Sequence, residues 1–335
     1  MKKTLLLIIL SIFVFLLTGC NIFTTDNYKF TYIMADKYSF GNASINEETT
    51  LKNIHINWYA GEVSISTHVE NTIIIEEEIE GSATDDQKVH YKYDVTSKES
   101  YLLIEYGKSG LKDFEGLKKN LKVTVPQHDD YYLGGITHTA NFTADFSTYD
   151  NCMEKVSYSS DRGSINIKLC DANQVFITGG NNKNIDKNTA FTLNAVEIGA
   201  LSMNSSYAII NVEATKIRSI SDFGSVFNDT NLTCDAIGTL KGSCVESNVT
   251  IKLGSFEKIT FEARDKAINL YLGADMKFKL NLTLHSAAGK NAKDIIPVNV
   301  SGFEYTKVSD TEYDFGGTKE VNITTIKDVN IYVNE

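Results

Sequence analysis

From residue 28 onward, short runs of alternating apolar and polar residues follow one another. Residues 54–58 (IHINW), 63–66, 73–77, 102–106 and 121–125 (LKVTV) alternate, and residues 30–34 are locally apolar. A period near two turns one face of each run inward and leaves the other in solvent, which predicts strands. Residues 111–120 (LKDFEGLKKN) are the one helix-like stretch. Gly116 interrupts it, so it reads as a loop or at most two turns. Pro126 closes a strand, where its missing N–H costs least.

From about residue 150 the runs repeat. Val156, Val175, Val196, Ile217, Ile237 and Phe256 recur at spacings of 19, 21, 21, 20 and 19 residues. A second series, Ile165, Ile209, Val226, Val249 and Ile268, lies half a turn out of phase, with Ile185 as a candidate for its gap. One coil of about 20 residues cannot bury its own apolar side chains, but stacked coils can. The expected fold is therefore all-β: a single-stranded β-helix or β-solenoid with atypical capping strands at both ends. At about 4.8 Å per coil, six turns make a rod of roughly 30 Å. The alternative is a β-sandwich, whose strands can also recur regularly. Glycines 163, 199, 224, 238 and 254 fall beside strands, where a tight corner calls for positive φ.

The same pattern divides the chain. Residues 28–126 form the first β region and 127–150 a polar, aromatic, loop-rich segment. Residues 151–289 carry the repeats, and 290–335, which break the rhythm, supply C-terminal capping strands. Cys152 and Cys170 fall at similar phases of adjacent coils, and Cys234 and Cys244 could meet across one. Each pair is compatible with a disulfide, and burial of all four as small apolar thiols is the equal alternative.

The N-terminus has another pattern. Lys2 and Lys3 precede an apolar stretch from Leu5 to Leu17. That stretch is short for a membrane span, which needs about 20 residues, and the layout is that of a secretory signal. The ending Leu17-Thr18-Gly19-Cys20 resembles the lipobox of bacterial lipoproteins. The resemblance implies cleavage before Cys20 and a diacylglyceryl group on its thiol. Residues 1–19 are then the signal peptide and 20–27 a lipidated tether. The expected location is the extracytoplasmic face of the bacterial cell membrane, with the membrane itself as a partner through the lipid.

Loss of residues 1–19 lowers the basic count from 32 to 30 against 43 acidic residues, for a net charge of −13. That argues against a nucleic-acid partner, which wants local basic surface. The six histidines form no HExxH, and no metal site is expected. His128, Asp129, Asp130, Tyr131, Tyr132 and His138 lie close in sequence and form a candidate binding patch. The acidic run Glu76, Glu77, Glu78 and Glu80 reads as a solvated strand edge that discourages pairing. No nucleophile elbow or phosphate loop is present, and no cofactor beyond the acyl anchor is expected.

Several segments together resemble the DUF4097 putative-adhesin family of β-strand repeat proteins. They are IHINWYAGEVSIS at 54–66, LKVTVP at 121–126, GSINIKL at 163–169 and VNITTIKDVNIYV at 321–333, where Asp328 replaces a common glycine. The resemblance implies a solenoid of the bacterial envelope without established catalytic residues. The function expected is a noncatalytic surface binding or scaffold module, meeting an envelope protein or a glycan. Two alternatives are a stress-sensing or regulatory component and a polysaccharide-active β-helix enzyme.

Overall fold

A computed structural model describes residues 38–96, 99–107, 117–128, 130–148, 152–285 and 296–334. The chain winds as a β-solenoid with two long sides. On one side a single apolar ladder runs Val123, Ile65, Ala144, Ile167, Leu193, Val212, Leu232, Ile251, Leu270, Ile331, Val300, one residue from each of eleven coils. On the other side Leu102, Ile54, Leu133, Val156, Val175, Leu201, Ile220, Leu240, Ile259, Val321 and Leu280 do the same. Apart from Val300, these residues are buried. Ten steps of about 4.8 Å make the stack roughly 50 Å long.

The ladders differ from those expected of the sequence. Val156 and Val175 stack on Leu201, whereas Ile217, Ile237 and Phe256 stack on Ile198 in the neighbouring ladder. Val196 belongs to neither; it projects from a corner and is 50% exposed. The cause is the Asn-rich turn at 180–189, which lengthens its coil so that Val175 meets Leu201 26 residues later. Phe191, not Ile185 or Ile209, lies between Ile165 and Ile210 in the out-of-phase ladder. Glycine placement also has a different reason. Of the five glycines expected to need positive φ, only Gly224 has it, at 150°. Gly163 instead lies so close to the adjacent coil that a Cβ would come within 1.8 Å of the Ala140 carbonyl oxygen.

Outward-facing amides explain part of the asparagine content. Asn231 bonds Asn211 at 3.0 Å, and Asn299, Asn330 and Asn269 form a chain of side-chain bonds at 2.8 and 2.9 Å. Such ladders need identical residues one strand spacing apart.

Chain order and spatial order part company at both ends. Strands Leu51–Trp58 and Glu62–His68 form the second coil, while Ser100–Glu105 and Lys118–Pro126 form the first. Strands Lys319–Thr325 and Val329–Asn334 form the tenth coil, slipped between the ninth and the eleventh, Phe278–Leu284 with Val298–Ser301. The last strands of the chain thus lie between neighbours rather than on the outside. Residues 127–150, expected to be loop-rich, supply Tyr132–Thr137 and Asn141–Phe146, the ordinary third coil. Of the helix-like stretch, residues 111–116 lie outside the described residues, and Lys118–Asn120 belong to a strand.

Antiparallel strands cover the first coil. Thr72–Glu80 lies on Lys118–Pro126 and is itself covered by Ala43–Asn46; His90–Val95 lies on Ser100–Glu105. The acidic run is thus paired on its inner side with residues 118–122, while no described strand pairs with residues 76–80 on the outer side, which remains an exposed edge. Glu76 meets Lys122 at 3.1 Å and Glu80 meets Lys118 at 3.3 Å, while the exposed Glu78 lies opposite Asn120.

Candidate functional site

Residues 1–37 and Asp129 lie outside the described residues, so the Leu17, Thr18, Gly19 and Cys20 assignment does too. Among the described residues, no helix is long and apolar enough to cross a membrane.

The remaining residues of the expected patch divide between two places. His128 Nε2 lies 2.5 Å from Glu47 Oε2, and Lys52 bonds Asp130 at 3.2 Å. Tyr131 is fully buried and donates its hydroxyl proton to the Pro126 carbonyl. Tyr132 starts the strand Tyr132–Thr137 and lies beneath the Lys155 ammonium. His138 follows the far end of that strand. There it stacks on Tyr59 at 4.9 Å, and its Nδ1 lies 3.1 Å from Asp161. Six residues of extended chain separate the ends by about 20 Å, so His138 stands apart from the others, of which His128 and the buried Tyr131 have ring centroids 6.2 Å apart. The four later cysteines are thiols, not joined as disulfides. Burial pushes Cys234 up to about 11 and also raises Cys244, which makes these two poor nucleophiles.

A buried charge lies under the N-terminal cap. Lys119 and Glu77 are 2.7 Å apart with side chains 0% and 2% exposed. The ammonium also bonds the carbonyls of Gln87 and Tyr106 and lies 4.2 Å from the Tyr106 ring centroid and 5.1 Å from that of Trp58. Burial pushes Lys119 down to about 8 against the pull of Glu77. Glu77 Oε2 accepts the Val89 amide at 2.8 Å. Every feature here joins cap to coil, and none opens to solvent, so the cluster is structural.

Beside it, a groove of about 470 Å³ is lined by Tyr38, Asn53, His55, Asn57, Lys92, Asp94 and Glu105, among others. Asn57 donates to Glu105 Oε1 at 2.9 Å, while the buried Oε2 has no hydrogen-bond partner among the described residues. Desolvation pushes Glu105 up to about 7, and it also lowers His55. The other carboxylate, Asp94, is paired with Lys92. Hydrolysis of a glycoside needs two carboxyls in complementary roles, and this groove holds one elevated carboxyl beside a salt-bridged one.

The opposite end of the stack carries an open aromatic cleft of about 640 Å³, lined by Asp275, Lys277, Phe303, Glu304, Tyr305, Asp314 and Phe315, among others. It is built in layers. Phe278 closes the core, Phe315 stacks on it at 4.2 Å and 13°, and Tyr305 stacks on Phe315 at 5.5 Å and 29°. Phe303 meets Phe315 edge-on at 6.0 Å and 89°. The Phe315 amide donates to the Phe278 carbonyl at 2.9 Å and fixes the stack to the eleventh coil. Tyr305 is 45% exposed, whereas Phe315 is 5% exposed. A ring held rigidly from behind and open in front is a contact platform with little entropy left to lose. Sequence reasoning missed this site. The signal was the spacing Phe303-x-Tyr305 and Tyr313-x-Phe315 on either side of a turn.

Comparison with known proteins adds shape-level likenesses. No family model and no curated protein matches the chain. A putative cell adhesion protein from Clostridium sporogenes ATCC 15579 is 15% identical, with 89% of this chain and 100% of that chain covered, at a TM-score of 0.32. A putative adhesin from Parabacteroides merdae ATCC 43184 is 10% identical, with 88% and 96% covered, at a TM-score of 0.42. A putative adhesin from Bacteroides fragilis NCTC 9343 is 7% identical, with 88% and 97% covered, at a TM-score of 0.32. These scores are too low to establish a shared fold.

Proposed function

We propose that this chain is a noncatalytic binding module of the bacterial cell envelope, anchored by lipid on Cys20 and presenting the C-terminal aromatic cleft to a partner. The observation that carries the reading is Tyr305: a half-exposed ring, backed by stacked aromatic rings and flanked by carboxylates, in an open cleft. The cleft lies at the end of the stack opposite the N-terminal cap. The roughly 50 Å of rod between that cap and the cleft suits a spacer that holds its site clear of the membrane, with the anchor on the N-terminal side of the cap in the chain. The sequence resemblance to the DUF4097 putative-adhesin family agrees with this reading, as does the apolar, lysine-led N-terminus.

Two measurements test it. Palmitate labelling of cells making the chain should vanish in Cys20→Ala; persistent labelling removes the anchor from the proposal. Soluble chain lacking residues 1–27 should cosediment with bacterial cells, and Tyr305→Ala should reduce the bound fraction severalfold. Equal sedimentation of both would remove the cleft from the proposal.

A further inference from the structure

Three of the four sheet ends of this solenoid are covered by antiparallel strands. Thr72–Glu80 and His90–Val95 cover the first coil, and Glu312–Asp314 covers Phe278–Leu284. The fourth end is Val298–Ser301. It pairs with Val329–Asn334 on one side, and no strand among the described residues pairs with its outer edge. From this, and resting on the reading of the cleft as the recognition site, we infer that the module binds by strand addition. An extended peptide segment of a partner pairs with the outer edge of Val298–Ser301 and places a basic side chain in the Tyr305 cleft.

Three patterns stop unfinished at that strand. The first is the backbone. The Val329 amide donates to the Pro297 carbonyl at 2.9 Å. Alternation along a parallel pair then turns the polar groups of Asn299 and Ser301 inward and those of Val298 and Val300 toward the open edge. The second is the core. Val298 and Val300 end their ladders only half-buried, whereas Val329 and Ile331 beneath them are fully buried. The third is the amide chain, in which Asn299 donates to Asn330, and Asn330 to Asn269. Its last carbonyl oxygen belongs to Asn299. A segment reading apolar–Asn or Thr–apolar would continue all three.

The cleft selects the end of that segment. The strand runs directly into Gly302, whose φ of +84° turns the chain into Phe303, Glu304 and Tyr305. Asp275, Glu304 and Asp314 face one Lys277 there, so the lining is net negative around an exposed ring. A Lys or Arg gains both the carboxylates and the face of Tyr305. Main-chain pairing supplies affinity and the pocket supplies selectivity, as in other cases of strand addition.

The test uses soluble chain from residue 28 and a fluorescein-labelled peptide, Arg-Thr-Val-Asn-Val-Thr-Arg, followed by fluorescence anisotropy. Saturable binding is expected. Methylation of the valine and asparagine amides, which removes the edge-facing N–H groups in either strand direction, or exchange of both arginines for glutamates, should weaken it at least tenfold. Val300→Pro, which removes an outward N–H and leaves the inner ladder bonded, should do the same, as should Tyr305→Ala. Circular dichroism and the unfolding midpoint of each variant show whether it is folded. Equal binding of the methylated peptide, or unchanged binding by folded Val300→Pro, overturns the inference, as does an absence of saturable binding up to millimolar peptide. Neutral oligosaccharides run in parallel separate the two readings. Sugar binding lost in Tyr305→Ala, without peptide binding, overturns strand addition and leaves the surface-binding proposal standing.

Discussion

The two ends of the stack solve the same problem in different ways. An end coil exposes unpaired backbone and half of an apolar layer. At the N-terminal end, the chain covers both sides with antiparallel strands and buries Lys119 and Glu77 beneath them. At the C-terminal end, it covers one side with a short antiparallel pair, and among the described residues no strand pairs with the outer edge of Val298–Ser301 beside Tyr305. The first end is built for closure and the second for contact. Open strand edges invite pairing, and proteins usually blunt them. The contrast within one molecule makes the open edge informative.

The largest effect should come from Lys119→Met. It leaves Glu77 charged and buried without its partner, at a cost of about 3–5 kcal/mol, visible as a lower urea midpoint. Adding Glu77→Leu should recover most of the loss, because replacing both members by apolar residues removes the desolvation cost. A single variant as stable as wild type would show that the pair does not hold the cap.

Glu105→Gln comes next, and it depends on pH. Burial raises Glu105 from about 4.5 to about 7 in the folded chain. Between those values the folded state keeps a proton that the unfolded chain has released, so stability falls as pH rises through that window. Above pH 7 the deficit is fully present, of the order of 3 kcal/mol. Glutamine removes it. Thermal unfolding should therefore show the variant more stable than wild type at pH 8 and nearly equal to it at pH 4.5. A uniform difference at both pH values would assign the effect to something other than titration.

Gly61→Ala should cost about 2 kcal/mol. Gly61 has φ of +91°, and a Cβ there would come within 2.0 Å of the Lys119 carbonyl oxygen. Thermal unfolding reads this directly.

Tyr305→Ala should change stability least, within about 0.5 kcal/mol, because its ring stands half outside while Phe315 seals the core. Its unfolding midpoint should match wild type even as cell binding falls. A loss as large as that of Lys119→Met would erase the distinction between a closing end and a contacting end.

Local pattern was enough for much of this molecule. Alternation located the strands at 54–58, 63–66, 73–77 and 121–125, because a strand with one buried face records that burial residue by residue. The near-20-residue recurrence showed that the chain winds, since equivalent positions of stacked coils need like residues. It did not show which residues stack. The insertion at 180–189 moved Val196 out of the core and brought Leu201 onto Val175. A periodicity averages over such a shift, whereas hydrogen-bond register does not.

The site was less legible. Residues 127–150 stood out as aromatic and polar, but Tyr131 turns into the core and the strand Tyr132–Thr137 separates His138 from the rest. The cleft at Tyr305 depends on Phe278, Phe303 and Phe315 converging from separate segments. The pairing of Glu77 with Lys119 likewise depends on two strands some forty residues apart in the chain.

By itself, then, the sequence determined the strand content, the winding and the acidic surface, because each is set by neighbours along the chain. Only the tertiary structure decided the order of the end coils, the ladder registers, the buried ion pair and the open edge beside the cleft. Those depend on which distant segments come to lie one strand spacing apart, and no local run of residues encodes that distance.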